Sequence, residues 1–592
     1  MRLKKISTVI LSLLLIMTLV SCTVEDIQNN NGTKKEKEQN EVVEYEPSYG
    51  GELVVPISYV KTFNPLMNKD KSLYYFYKLI YEGLFEFDQN LNIKNVLAEN
   101  YSIEDEGQVI NIKLRQDVSW HDGEKFTAED VKFTLDTIKY GAQNSVYREM
   151  MSSIFKPGKP GDLEHILNVE IIDEYNLKII FDRSYSNALE SLVLPILPRH
   201  QFVEDGINIK EAYESALELD NFKPVGTGPY KFETYNKLKS VTLVVNENWW
   251  KGKPYISRII GKVLADDRLA LTALKAGEID LAVSVGVDWE KYAQNNKVKV
   301  FEYPTQRYEF LGFNFSKEIF TGEKGKVLRE VIAYGTDKDE IIDKVYLDHA
   351  IKTDLPIPPF SWLVDENLNK FDFNVNKARD ILEEAGWSDI DEDGIYEDVN
   401  GKELTLNLLT NSYNRLRKAT ADMIADNLTE VGIKVIKDYD SSNKENLTQD
   451  MINTQWENVQ TKIANGDFDI VLTGWNLSYI PDLSFAFHSS QIEYGTNFIK
   501  YNNELMDKKL IEAFKAPSRN EKKSVYKEIQ SILLEDLPYI SLFFQESAIL
   551  VNDKIHGEIQ PKSFNIYYNI EEWFIPEIYQ EDNKKDNNED KQ

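Results

Sequence analysis

Residues able to do covalent or metal chemistry are few and scattered. The chain of 592 residues has one cysteine and six histidines. A single Cys allows no intrachain disulfide and no Cys metal cluster. No G-x-S-x-G elbow is present, and the segment Val225-Gly226-Thr227-Gly228-Pro229 lacks the GK[ST] ending of a phosphate loop. His121, Asp122 and Glu124 carry metal-ligand groups, but His-Asp-Gly between a strand and a helix is also a tight turn, with Gly123 supplying backbone freedom. We take it as a turn. Asp389, Asp391 and Asp393, followed by Gly394, match the first half of a calcium loop. The twelfth position is Asn400 rather than the usual bidentate Glu, with Glu397 at the ninth. On that missing ligand the segment reads as an acidic turn, and no metal site is assigned. Nothing singles out a catalytic pair among the 98 acidic residues. The chain is expected not to be an enzyme and to need no cofactor.

The lone cysteine has a telling position. Arg2, Lys4 and Lys5 precede an apolar run from Ile6 to Val20, too short to span a bilayer comfortably and suited to a signal sequence. The run ends in Leu19-Val20-Ser21-Cys22, which resembles the lipobox of bacterial lipoproteins. That resemblance makes 1–21 a signal peptide and Cys22 the lipidated first residue of an extracytoplasmic, membrane-anchored protein. Two acyl chains hold a protein at a membrane stably where one does not. The Asn/Glu/Lys-rich stretch 22–48 reads as a flexible tether, and 581–592 as a disordered tail.

Between these ends the composition is that of an ordinary globular protein, 42% hydrophobic and 28% charged, and the length calls for two or three domains. A net charge of −30 argues against nucleic-acid partners. Strand and helix patterns alternate, giving an α/β class. Val109–Leu114 reads as a strand, and Thr127 caps a helix with Glu129 and Asp130 in its first turn. Ala378, Ile381, Leu382 and Ala385 follow helical spacing up to Gly386. Ala421, Ile424, Ala425, Leu428 and Val431 do the same up to Gly432, with a strand beginning at 433–435. Phe468–Leu472 is a short buried strand.

Ordered segments then converge on one family. They include Trp120-His121-Asp122-Gly123-Glu124, Pro224–Tyr230, Asn248-Trp249-Trp250, Ala276–Asp280, Leu311–Asn314, Glu384–Trp387 and the 567–573 segment ending in Trp573. Together they resemble the oligopeptide- and dipeptide-binding proteins of ABC importers over nearly the whole mature chain. The resemblance implies a periplasmic-binding-protein-like, two-lobed trap with an additional third domain. Its expected parts are a discontinuous domain I (49–84, 206–305 and 546–580), domain II (85–205) and domain III (306–545). It also implies ABC permease subunits as partners, an oligopeptide or similar solute as ligand, and a monomeric receptor.

In this family ligands are held partly by strand addition, which reads main chain. One expected bracket is Gly474, Trp475 and Asn476; the other is Asn68, Lys69, Asp70 and Lys71. Gly474 would permit close backbone approach. Trp475 would offer an apolar wall, or simply fill core. Relatives commonly carry an amine-pairing Asp after the Gly-Trp. A gapless match puts Ser478 there, and the nearest acid is Asp482. That departure leaves room for longer peptides, oligosaccharides, nickel-type complexes or a sensory role.

Overall fold

A computed structural model describes residues 45–141, 166–204, 206–218, 223–294, 297–365, 368, 371–440 and 448–580. Cys22, the signal segment, most of the tether and the 581–592 tail lie outside the described residues. Among those described, no helix is long and apolar enough to cross a membrane.

Three main sheets carry the fold. The first has the order β1 (Glu52–Ile57), β10 (Arg258–Val263), β9 (Ser240–Val245) and β8 (Tyr230–Asn236). Only β1 and β10 run parallel. Inward residues alternate as the period of two requires: Leu53, Val55 and Ile57 of β1 are buried. The second sheet is antiparallel, in the order β4 (Ala98–Glu104), β5 (Val109–Leu114), β7 (Asn176–Phe181) and β6 (Ile166–Asp173). A two-stranded pair, β2 (Phe85–Phe87) and β3 (Ile93–Asn95), precedes it.

The largest sheet has seven strands. Its path is β11 (Leu281–Val283), β17 (Tyr539–Asn552), β12 (Val298–Phe313), β16 (Ile470–Asn476), β14 (Thr405–Leu409) and β15 (Lys434–Asp438), with β13 (Ala350–Lys352) on β17. β12 and β17 pair over most of their length, with a break in register between Pro304 and Tyr308.

The predicted elements form where expected. The strand over 109–114 and the helix Ala128–Gly141 are present. The expected Thr127 side-chain cap is not formed: Asp130 reaches back instead, its carboxylate accepting the Thr127 N–H at 2.9 Å and the Thr127 hydroxyl at 3.3 Å. Gly432 ends the helix Arg415–Val431 with φ 107°, and a Cβ there would meet the Tyr396 ring at 2.2 Å.

The family-like motifs meet one another in the core rather than in a cleft. Glu82 is buried and accepts from Thr227 (2.9 Å), Trp249 (3.2 Å) and Trp250 (3.1 Å), so two of the motif segments close on one carboxyl group. Burial pushes its pKa up to about 7, against the pull of Lys251 and these donors. His121 donates from Nε2 to Gly228 O at 3.0 Å and accepts the Gly226 N–H on Nδ1 at 3.2 Å. Burial lowers its pKa to about 4, so the ring is neutral and serves as a clamp. The ends of the folded body also meet: Ser48 Oγ donates to Ile575 O at 2.8 Å and accepts from Gln580 at 3.2 Å.

Candidate ligand cavity

β16 projects its C-terminal end toward the segment that follows it, and the two together build one wall of a cavity of about 590 Å³. Trp475, Asn476, Ser478 and Asp482 all line it. Trp475 stacks on Phe310 (6.3 Å between centroids, 21°) and meets Phe485 edge-on (5.4 Å, 86°), so it is at once core and wall. Ser478 Oγ accepts the Ile480 N–H at 3.0 Å, and Asp482 Oδ1 accepts the Ser484 N–H at 2.8 Å. Pro481 O takes a bond from the Tyr526 hydroxyl at 3.0 Å.

Gly474 has a different use from the expected one. A Cβ there would meet Tyr308 O at 2.6 Å, Glu309 Oε1 at 2.8 Å and Arg417 Nη2 at 2.9 Å. The missing side chain makes room for the neighbouring strand and for a buried ion pair, not for a ligand. That pair is bidentate: Arg417 Nε and Nη2 reach Glu309 at 2.9 and 2.7 Å. Asn411 accepts from Arg417 Nη1 at 2.6 Å and Gln545 donates to Glu309 at 3.0 Å.

The second expected bracket is absent from this cavity's lining. Asn68 and Asp70 are occupied locally. Asn68 bridges the Asp70 backbone N–H and C=O (3.1 and 2.8 Å), and Asp70 caps the helix Lys71–Tyr77 through Leu73 N at 3.0 Å. Lys69 is exposed. Lys71 is exposed, though neighbouring protein, and then the like charge of Arg307, lower its pKa.

The remaining walls come from distant sequence: Pro356–Pro358 and Trp362 on one side, Tyr185, Asn187, Phe514 and Tyr526 on another. No motif marks them. They meet along a seam between segment 85–205 and segment 306–545. Ser186 N donates to Phe514 O at 2.9 Å, and Trp362 N to Asn90 O at 3.1 Å. Arg519 pairs with Glu190 at 2.9 Å, donates to Asn92 at 3.1 Å and covers the Trp362 ring at 3.9 Å. Lys522, fully buried, donates to Asn187 Oδ1. Burial pushes its pKa down to about 8, with Glu190 and Asp482 working the other way.

A cavity of this size, apolar and aromatic with a few polar groups and closed by segments far apart in sequence, is built to enclose a solute. A profile of bacterial extracellular solute-binding proteins, family 5 (middle region), matches residues 92–493. The chain belongs to that family, whose members serve ABC importers. It is 29% identical over 585 residues to the oligopeptide-binding protein AppA of Bacillus subtilis, covering 97% of this chain and all of AppA. The heme-binding protein A of Haemophilus influenzae is 24% identical, covering 83% and 86% of the two chains. Among solved structures, AppA in complex with a nonapeptide is 28% identical with a TM-score of 0.58, over 90% of this chain and all of that one. NikZ from Campylobacter jejuni with Ni(L-His) is 27% identical with a TM-score of 0.60, covering 89% and 99%. The substrate-binding protein CtaP from Listeria monocytogenes shares the fold at 22% identity, with a TM-score of 0.72 over 90% and 100% of the two chains.

Proposed function

We propose that this protein is a lipid-anchored receptor that captures oligopeptides outside the cytoplasm and delivers them to the permease of an ABC importer. The observation that carries the ligand class is the cavity itself. Its strand-and-loop wall at Trp475–Asp482 offers main chain and aromatic surface, and only one carboxylate lines it. Such a site reads backbone and tolerates varied side chains. End-to-end similarity to an oligopeptide-binding protein supports the same reading.

The family's three-part division corresponds to a working mechanism. Segments 49–84, 206–305 and 546–580 form one lobe, 306–545 the other, and 85–205 the additional domain. The lobes hinge where β12 and β17 break register. Ligand favours closure only to the extent that it binds the closed form more tightly. Native mass spectrometry of gently purified protein is expected to release a peptide mass, and calorimetry with that peptide to give saturable binding. A retained sugar or metal complex, with no peptide binding, would overturn the ligand class while leaving the transport role intact. Cys22→Ala is expected to release the protein from membranes or leave it unprocessed; an unmodified wild-type protein beginning elsewhere would refute the anchor.

A further inference from the structure

The side chains that line the cavity fall into two sets, and the polar set is largely spent on the protein itself. Ser478 Oγ accepts the Ile480 N–H, and Ser361 Oγ accepts the Leu363 N–H at 3.3 Å. Asn187 uses both ends of its amide, accepting from Lys522 and donating to Pro481 O at 3.4 Å. Pro481 O also receives the Tyr526 hydroxyl. Asp482 Oδ1 holds the Ser484 N–H. Among the described residues, no Lys or Arg lines the cavity. Lys522 is 1% exposed and its ammonium is engaged by Asn187, so its charge is not offered to a solute as a contact.

The other set is aromatic. Tyr185, Trp362, Trp475, Phe485, Phe514 and Tyr526 bring rings to the lining from stretches of chain far apart in sequence. Several brace one another: Tyr185 meets Phe514 with centroids 5.3 Å apart, and Trp475 meets Phe485 edge-on. These two sets decide which side chain of a solute gains by entering. An acidic group meets Asp482 and no cation. A neutral polar group gives up water for a wall whose donors and acceptors are mostly committed, which is costly. A cation is drawn to Asp482, but the Trp362 ring that could also hold it already carries the Arg519 guanidinium, 3.9 Å from its centroid. A large apolar side chain gains its transfer out of water, and an aromatic one adds ring-to-ring contact. Strand addition leaves successive side chains on opposite faces, so this selection bears only on the residue that enters the cavity. Elsewhere along a peptide varied side chains are tolerated.

Resting on the reading of this protein as a peptide receptor, we propose that the cavity is a specificity pocket for one aromatic side chain of the bound peptide, Phe or Trp, and that it rejects an acidic residue at that position. Calorimetry on the full chain, freed of retained ligand, tests this with Ser/Gly peptides in which a single Phe is walked from end to end. At one position Phe is expected to bind at least ~10-fold tighter than Ala, with Trp close to Phe and Asp weaker than Ala. Two variants locate the effect. Trp362→Ala removes one ring of the wall, and Ile480→Asp adds a carboxylate on a half-buried lining residue. Each should bring the Phe-to-Ala ratio towards one, and the second should raise the affinity for Lys at the same position. If peptides bind but Phe, Ala and Asp stay within about two-fold of one another everywhere, main chain alone is read; the pocket falls and the peptide receptor stands. If no peptide of the set binds, the pocket falls and the peptide reading falls with it. A wild-type ratio in either folded variant also overturns the pocket, since the aromatic side chain would then sit elsewhere.

Discussion

Two buried charged clusters flank the cavity, and they are built to opposite standards. Behind Gly474, the Glu309–Arg417 pair is bidentate, and its spare lone pair and proton are met by Gln545 and Asn411. Along the seam, Lys522 is at least as deeply buried but its nearest acceptor is a neutral amide, and Arg519 divides itself among Glu190, Asn92 and the Trp362 face. The first cluster joins elements of one sheet and the helix packed on it. The second joins the additional domain 85–205 to segment 306–545, the two sides of the cavity, which would part if the additional domain moved with the first lobe. A contact made once at folding gains from complete complementarity. One made and broken at each binding cycle must stay weak enough to undo.

That contrast is most exposed to test at Arg417. Arg417→Met leaves Glu309 buried without its cation, and should cost about 3–5 kcal/mol of unfolding free energy in urea titrations. A loss below ~1 kcal/mol, the worth of a surface pair, would mean the two clusters are alike. Gly474→Ala should cost about 1–3 kcal/mol by overpacking against Tyr308 and the same pair. If it instead left stability intact and abolished ligand binding alone, the glycine would belong to the ligand after all.

The seam should respond to pH rather than to truncation. Lys522→Met is expected to leave stability at pH 7 within ~1 kcal/mol of wild type, because an apolar replacement also removes the desolvation cost. Lys522 has its folded pKa lowered to about 8 from the ordinary 10.5. Between those values the unfolded chain binds a proton that the folded one has released. This group's contribution to stability therefore rises with pH across that window and is level above it. Denaturation at a series of pH values should show the rise in wild type and not in Lys522→Met; equal slopes would place Lys522 in water.

The smallest effect concerns the ligand. Asp482 is the one carboxylate lining the cavity, and its charge acts on Lys522 within the same segment. Free and N-acetylated forms of one peptide should differ less than ten-fold in affinity, which is under ~1.4 kcal/mol. If acetylation costs ten-fold or more in wild type but not in Asp482→Asn, Asp482 is an amine anchor and the relaxed reading fails.

Much of this was legible because it is local. The helix stop at Gly432 and the course of the run Trp475–Asp482 depend on neighbours a few residues away, so the pattern carries the geometry. Gly474 shows the limit. A glycine announces that space is needed, but whether a ligand or the next strand fills it depends on Tyr308 and Arg417, far off in sequence. The Asn68–Asp70 segment shows a similar limit, since the Asn68 and Asp70 side chains are engaged by the start of the helix that follows. Tyr185, Trp362 and Tyr526 were invisible, as any buried aromatic could have stood there.

The meeting of Ser48 with Gln580 has a mechanical consequence. Both ends of the folded body leave it at one point, so a pull on either, or on both, is applied at a single place. Such a force has no lever arm across the cavity and does no work on its opening. A tug on either end therefore leaves the cavity to its own walls.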